Sequence, residues 1–197
     1  MTTTRRIERL WAAKDYARLL VDLLSGRSED QPRVRTDTNL RLAAAAMGIV
    51  RLDEFNQSSL PLCGELLRVV LAAQDGDGGW GDPMTTALCV RALRCARGDG
   101  LAIERGLTAL ANLQKADGSF PAEPLRRMPS DAFVTAFVLY EVADTGVLRA
   151  DDALVWLDAH SSGFDGPTRT LHDRLNVRCR RMAVPTLSRD HDEAIWS

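Results

Sequence analysis

Apolar residues recur along most of the chain at the spacing of one face of a helix. Ile103, Leu107, Leu110 and Leu113, for example, are three or four residues apart, which is typical of an amphipathic α-helix. Similar stretches follow one another and are separated by Gly, Pro and Ser-Gly breaks. No stretch alternates between apolar and polar residues as a half-buried strand does. The pattern predicts an all-α fold of about eight helices joined by short turns.

Changes in composition divide the chain into three predicted segments. Residues 1–35 contain a first helix, with apolar positions between Ile7 and Leu24, and a polar loop that includes Pro32 and that we expect to be mobile. Residues 36–184 carry the helical repeat, and residues 185–197 form a C-terminal tail. The whole chain, 197 residues long, is predicted to have one main hydrophobic core.

A helix that ends at a glutamine and runs into a glycine turn closed by an aromatic residue occurs twice. The two clear copies share the same spacing: Gln74, Gly78 and Trp80, then Gln114, Gly118 and Phe120. In a weaker third copy, His160 replaces the glutamine and Phe164 closes the turn. The aromatic residues are 40 and then 44 residues apart, a period that is typical of stacked supersecondary units.

Each member of this motif has a structural interpretation. Glycine permits a left-handed backbone in the turn. The last carbonyl groups of a helix lack partners, so we expect the amides of Gln74 and Gln114 to donate to them while Trp80 and Phe120 cover the turn. This helix-stop role is favoured over a catalytic role.

Composition and charge exclude several classes of function. The net charge is −2, which argues against a basic surface for nucleic acid or membranes, and no apolar run reaches the ~18 residues of a membrane span. The four cysteines form no Cys-x-x-Cys pair, so we expect them to be reduced and buried in a cytoplasmic protein, without bound metal. Asp75, Asp77 and Asp117 are interpreted as turn formers because calcium-loop spacing is missing. No cofactor is expected.

A basic run near the end of the chain offers a weaker candidate site. On a helix, Arg174, Arg178 and Arg181 share one face. A solvated or ion-paired face is the favoured interpretation, and an anion or partner site is the alternative. Aromatic residues for stacking on bases are absent from the run, so no nucleic-acid partner is expected.

The stretch Arg105-Gly106, Leu110, Gln114, Gly118-Ser119-Phe120 resembles the QW motif of terpenoid cyclases. These squalene–hopene cyclase-like enzymes share an α/α-toroid fold with the protein prenyltransferases. The resemblance implies hairpins of alternating inner and outer helices, with the QW turns as structural staples outside the active site. A closed toroid of this family has about twelve helices and this chain about eight, so the expected fold is an open or incomplete barrel.

The catalytic signatures of that family are incomplete here. Protonating cyclases carry Asp-x-Asp-Asp-Thr-Ala at the start of an inner helix. The matching stretches are Asp131-Ala132-Phe133-Val134-Thr135-Ala136 and Asp82-Pro83-Met84-Thr85-Thr86-Ala87, and in both the central carboxylates are replaced. A general acid needs a protonated carboxyl group, which these replacements lack. The Asp-Asp-x-x-Asp cluster and the zinc ligands of the prenyltransferases are not matched either.

Two hypotheses for function follow. The first is a non-catalytic interaction or scaffold protein derived from this fold, which binds a protein partner, a second copy of itself or an isoprenoid or other apolar ligand along the inner wall. Met84, Phe133 and Phe137 are its candidate lining residues. The alternative is an isoprenoid-handling enzyme, a divergent cyclase or prenyltransferase-like protein that acts as a dimer or with a partner chain. Asp131, with Asp82 nearby, is the candidate acid.

Overall fold

A computed structural model describes the backbone of residues 34–183 and the side chains of residues 41–179. This part of the chain contains seven α-helices: α1 Val34–Glu54, α2 Pro61–Ala72, α3 Pro83–Cys95, α4 Gly100–Leu113, α5 Ala132–Val142, α6 Ala150–His160 and α7 Gly166–Ala183. Two short 3-10 helices, Ala143–Thr145 and Ser161–Gly163, follow α5 and α6. The predicted first helix and the predicted tail lie outside the described residues.

The predicted absence of a sheet is confirmed for residues 34–183. The nearest approach to a strand there is one isolated antiparallel bridge between Pro121 and Ser130. The described part of the chain is therefore all-α, and seven of the predicted helices are present in it.

The odd-numbered helices form a continuous row. Helix α1 packs on α3, α3 on α5, and α5 on α7. Helices α2, α4 and α6 pack mainly on α1, α3 and α5, respectively. We call α1, α3, α5 and α7 the row helices, and α2, α4 and α6 the covering helices.

The burial of each helix follows from its place in this arrangement. Row helix α5 is buried at every position from Phe133 to Leu139, and α3 from Pro83 to Val90. A helix that is buried on all sides is typically apolar on all sides; α5 has this character at most positions, whereas the buried stretch of α3 also includes Thr85 and Thr86. In contrast, α4 buries one face, formed by Ala102, Gly106, Leu107, Ala109 and Leu110. The core therefore lies along the row.

Aspartates begin three of the row helices. The side chain of Asp82 accepts a hydrogen bond from the Thr85 amide at 2.8 Å, and that of Asp131 accepts one from the Val134 amide at 2.9 Å. Asp165 accepts from the Thr168 amide at 2.9 Å. A side-chain oxygen at this position satisfies one of the free amides of the first helical turn.

Candidate functional site

The first copy of the repeated motif forms a tight turn between α2 and α3, which we call turn 1 (residues 73–82). The Nε2 atom of Gln74 donates to the Gly78 carbonyl at 2.8 Å and to the Ala102 carbonyl in α4 at 2.9 Å. Within the turn, the Gly79 amide donates to the Asp77 carboxylate at 2.9 Å. Gln74 therefore closes the turn through Gly78 and connects it to the neighbouring covering helix α4 through Ala102.

Turn 2 (residues 114–131) repeats this geometry. The Nε2 atom of Gln114 donates to the Gly118 carbonyl at 2.9 Å and to the Arg149 carbonyl at 3.2 Å. The Arg149 amide donates back to Oε1 of Gln114 at 3.0 Å. Gln114 is buried, and its bond to Gly118 is buried with it, whereas the two bonds to Arg149 are part-buried.

The partners of the two glutamines differ from those we expect from the sequence. The prediction that their amides cap the last carbonyl groups of their own helices is wrong, because both amides bond to the turn and to the next covering helix. Gln114 itself has an extended backbone, with φ −63° and ψ 129°. The chain has thus left the helix at this residue, and the side chain extends across the turn.

A threonine from the following row helix holds the aromatic residue of each turn. The Trp80 amide donates to Oγ1 of Thr86, and the Phe120 amide donates to Oγ1 of Thr135, both at 2.9 Å. The Trp80 indole also donates to the Val70 carbonyl at 2.7 Å. Sequence reasoning treated these threonines as remnants of a catalytic signature and missed this role; their fixed place after the aspartate cap is the signal that could have revealed it.

Both glycines of the motif are required by conformation and by contact. Gly78 has φ +92° and Gly118 has φ +81°, in the left-handed region that favours glycine. A Cβ atom on Gly78 would lie 2.7 Å from the Arg105 carbonyl oxygen, and one on Gly118 would lie 2.3 Å from the Ala153 nitrogen. Each turn therefore presses directly on the backbone of the next covering helix.

Replacing Gln114 with alanine is expected to lower the free energy of unfolding by about 2–3 kcal/mol, because three hydrogen bonds made by a buried side chain are lost, two of them with the backbone of Arg149. Urea denaturation measures the loss. Gln74→Ala is the matched control: Gln74 is half-buried and bonds to two carbonyl groups, so the expected loss is smaller. A loss for Gln114→Ala no larger than that for Gln74→Ala would contradict the described network.

The third copy of the motif lacks this geometry. Residues Ser161–Gly163 form a 3-10 helix and are exposed. The Nδ1 atom of His160 lies 2.7 Å from the Trp156 carbonyl oxygen, and its ring stacks on that of Trp156 at 4.2 Å between centroids. The histidine thus stays on its own helix, and no fastened turn follows it.

The two candidate acids both act as helix caps. Asp131 and Asp82 are half-buried and accept the amide hydrogen bonds that begin α5 and α3. Asp82 also accepts a hydrogen bond from the Thr85 hydroxyl at 2.8 Å. In the positions where the resemblance places central carboxylates, Phe133 and Val134 are buried in the core.

The candidate ligand-lining residues lie in the same core. Met84, Phe133 and Phe137 are all buried. The rings of Phe133 and Phe137 are stacked, with centroids 6.2 Å apart and planes 28° apart. These side chains therefore contact other core residues.

A surface depression of about 360 Å³ lies beside turn 2, and it is open to solvent. It is lined by Ala116, Asp117, Asp152, Val155, Trp156 and Ala159. Asp117 accepts the Ser119 amide at 3.0 Å and so already holds the turn. The depression is thus separate from the predicted lining residues.

The arginines of the predicted basic face, Arg174, Arg178 and Arg181, differ in their surroundings. The Arg178 guanidinium lies over the Tyr140 ring at 5.2 Å, donates to the Tyr140 carbonyl and lies 3.8 Å from the Asp144 carboxylate. Arg174 is exposed, and the side chain of Arg181 lies outside the described residues. Arg178 therefore follows the favoured interpretation, ion pairing within the protein.

Glu141 is a buried acid that sequence reasoning missed. It lies on α5 with 1% of its side chain exposed, and its carboxylate is 3.2 Å from Nε of Arg91 without the alignment of a hydrogen bond. Burial raises the pKa of Glu141 to about 7, although Arg91 and Arg178 oppose this and Glu54 adds to it. The sequence did carry a signal: an acid within a helix that is otherwise apolar all round.

The protein is expected to lose stability between about pH 4.5 and 7 because of Glu141. Its pKa is raised in the folded state, so the folded protein binds more protons than the unfolded chain in this range, and stability falls as pH rises. The expected loss from pH 5 to pH 8 is about 2 kcal/mol. Urea denaturation of the wild type and Glu141→Gln at both pH values measures it. Glu65→Gln, at an exposed position, should behave like the wild type; parallel pH dependence in Glu141→Gln would contradict the assignment.

Comparisons of the chain with protein-family models, with curated proteins and with solved structures found no match. Among the described residues, no group of three or more His, Cys, Asp or Glu side chains is arranged to hold a metal ion. No helix within residues 34–183 is long and apolar enough to cross a membrane.

Proposed function

We propose that this chain is a non-catalytic interaction module, built as an open arc of helical hairpins of the α/α-toroid type, and that it binds a protein partner. The observation that carries the proposal is the use of Asp131 and Asp82 as helix caps, with apolar or uncharged residues in the places of the central carboxylates. A cap uses a side-chain oxygen as an acceptor, and hydrogen bonds donated to a carboxylate favour its ionised form. A general acid needs a proton on the carboxyl group, so capping disfavours that role.

The packing around these aspartates also supports a scaffold. Phe133, Val134 and Phe137 are buried and in contact with the core cluster. Close-packed side chains leave little room for a substrate. The part of the signature that is kept, the aspartate and the threonine, has a structural task in both copies.

The first test is incubation of the pure protein with squalene and with prenyl diphosphates. No turnover is expected. Asp131→Asn removes the acid but keeps a good capping residue, so this variant is expected to stay folded. Turnover by the wild type that Asp131→Asn abolishes would overturn the proposal.

The second test looks for the partner. Residues 121–130 extend turn 2 and expose Leu125, Arg126 and Arg127 near the start of α5. A photo-cross-linking residue at position 125 is expected to capture one protein in stoichiometric amounts in cells. The same residue at position 155, on the exposed side of α6, is the control. Equal capture from both positions would count against a specific surface here.

One observation favours the alternative, an isoprenoid-handling enzyme. Glu141 is a buried carboxyl group with a pKa of about 7, as a proton donor requires. It lies ten residues after Asp131 on the same helix, about 15 Å away along the axis, beside the Arg91 guanidinium. Turnover that is lost in Glu141→Gln and kept in Asp131→Asn would assign the acid to Glu141.

A further inference from the structure

Exposed apolar side chains are concentrated on α2 and the loop before it. Leu62 and Val69 on α2 are 54% and 48% exposed, and Phe55 and Leu60 are exposed beside them. The other large exposed apolar residues occur singly on separate elements. Leu62, Leu66 and Val69 are four and then three residues apart, so they share one side of the helix. We call these three residues the docking face.

The equivalent face of α4 is covered. Forty residues after Leu62, Leu66 and Val69 come Ala102, Gly106 and Ala109, of which Ala102 and Ala109 are only 5% and 7% exposed. Turn 1 covers them. Gln74 bonds to the Ala102 carbonyl, and the Trp80 ring lies 2.8 Å from where a Cβ atom of Gly106 would be.

Helix α6 receives turn 2 in the same way. Gln114 bonds to the Arg149 carbonyl, and Gly118 lies against the backbone of Ala153, which is fully buried. Two covering helices in the described part of the chain thus have a docked turn on this face. The docking face of α2 is the third such position, and there Leu62 and Val69 are exposed while Leu66 is half-buried.

The order of the elements along the chain indicates which segment should occupy the docking face. Turn 1 precedes row helix α3 and docks on α4, the covering helix that follows α3. Turn 2 precedes α5 and docks on α6, which follows α5. By the same rule, α2, which follows α1, is the helix on which the segment before α1 would dock. That segment is residues 1–33.

We propose that the docking face binds residues 1–33 of this same chain, through the end of their predicted helix at Leu19, Leu20, Leu23 and Leu24. Nine residues, 25–33, separate Leu24 from α1, and ten, 73–82, separate α2 from α3. Residues 25–33 are therefore about as long as turn 1, which reaches from the end of one helix to the next covering helix.

Side-chain size supports the same occupant. On α4, Ala102, Gly106 and Ala109 are small, and the turn that docks there brings Trp80. On α2 the equivalent residues are larger, and residues 25–33 contain no aromatic side chain. The large residues on α2 thus match a connection that brings no aromatic side chain, because close packing requires the two surfaces to fill the space between them. The docked segment covers apolar surface that otherwise faces water.

Hydrogen exchange of the full chain, followed by mass spectrometry, tests the proposal. In the wild type, the amides of residues 19–24 are expected to be protected. In Leu62→Lys/Val69→Lys they should exchange at least about tenfold faster, while residues 83–93 in α3 keep their protection and show that the core is folded. Val155→Lys, at another exposed valine, is the control and should leave residues 19–24 protected. Equal exchange of residues 19–24 in all three proteins would refute the proposal.

Light scattering of the same proteins tests whether a second copy of the chain, and not residues 1–33, occupies the docking face. A monomeric wild type is expected. A wild-type dimer that Leu62→Lys/Val69→Lys dissociates, with residues 19–24 unprotected, would assign the docking face to a second copy and overturn the proposal.

Discussion

Replacing Trp80 with alanine is expected to lower the free energy of unfolding by about 4–5 kcal/mol, the upper part of the range for a buried tryptophan. Its side chain is fully buried, and its indole donates to the Val70 carbonyl at the end of α2. Its ring also packs against Gly106, so one side chain joins turn 1 to both α2 and α4. Alanine leaves a cavity among three elements that cannot collapse independently. Urea denaturation monitored by far-UV circular dichroism measures the loss.

Trp156 offers a control for this prediction within the same chain. It is half-buried and stacks on His160 at the surface, so Trp156→Ala is expected to cost about 1 kcal/mol. Trp80→Phe keeps most of the volume and removes the indole donor, and its expected loss is about 1–3 kcal/mol. Equal losses for Trp80→Ala and Trp156→Ala would mean that Trp80 does not join these elements.

Gly118→Ala is expected to lower the free energy of unfolding by about 3–4 kcal/mol, because strain and steric overlap add together. The backbone of Gly118 is left-handed, and the new Cβ atom would lie 2.3 Å from the Ala153 nitrogen and 2.7 Å from its Cα atom. Both contacts are with backbone, so no side-chain rotation relieves them. Turn 2 or the start of α6 must move. Thermal and urea denaturation both report the effect.

Gly146 is a control that separates the cost of backbone strain from the cost of steric overlap. It has a similar left-handed backbone, with φ +70°, and a Cβ atom there meets nothing within 4 Å. Gly146→Ala is therefore expected to cost only the conformational strain, about 1 kcal/mol. The difference between the two variants isolates the contact of turn 2 with α6. If both variants lose the same amount, turn 2 is not seated on α6 as described.

The repeated pairs of an aspartate and a threonine, Asp82 with Thr86 and Asp131 with Thr135, have a structural explanation. The aspartates begin α5 and α3, and Thr135 and Thr86 fix the backbone of the aromatic residues that close the preceding turns. Each Asp-Thr pair thus holds a turn to the helix that follows it.

The local parts of this fold could be predicted from the sequence. Helices follow from the spacing of apolar residues, and the ends of α2 and α4 follow from the glycines that come after Gln74 and Gln114. These features depend on interactions within a few residues. The partners of the glutamines could not be predicted in this way, because Ala102 and Arg149 are 28 and 35 residues away.

The charged residues give the same lesson. Arg178 stands in the sequence like any exposed basic residue, but it packs on Tyr140. Glu141 stands out as an acid in an apolar helix, but the sequence does not show that Arg91 on α3 is its partner. Which charges meet depends on which helices lie next to each other, and the spacing of residues within one helix does not contain that information.

The sequence by itself determined where residues 34–183 are helical and where they turn, because backbone preferences and neighbours a few residues away decide both. Only the tertiary structure decided which side chains meet across the row of helices, which glycines are pressed against another backbone, and which acid is removed from water. These depend on contacts between segments that are far apart in the chain, because only such contacts bury a polar group or supply the partner that offsets the cost of its burial.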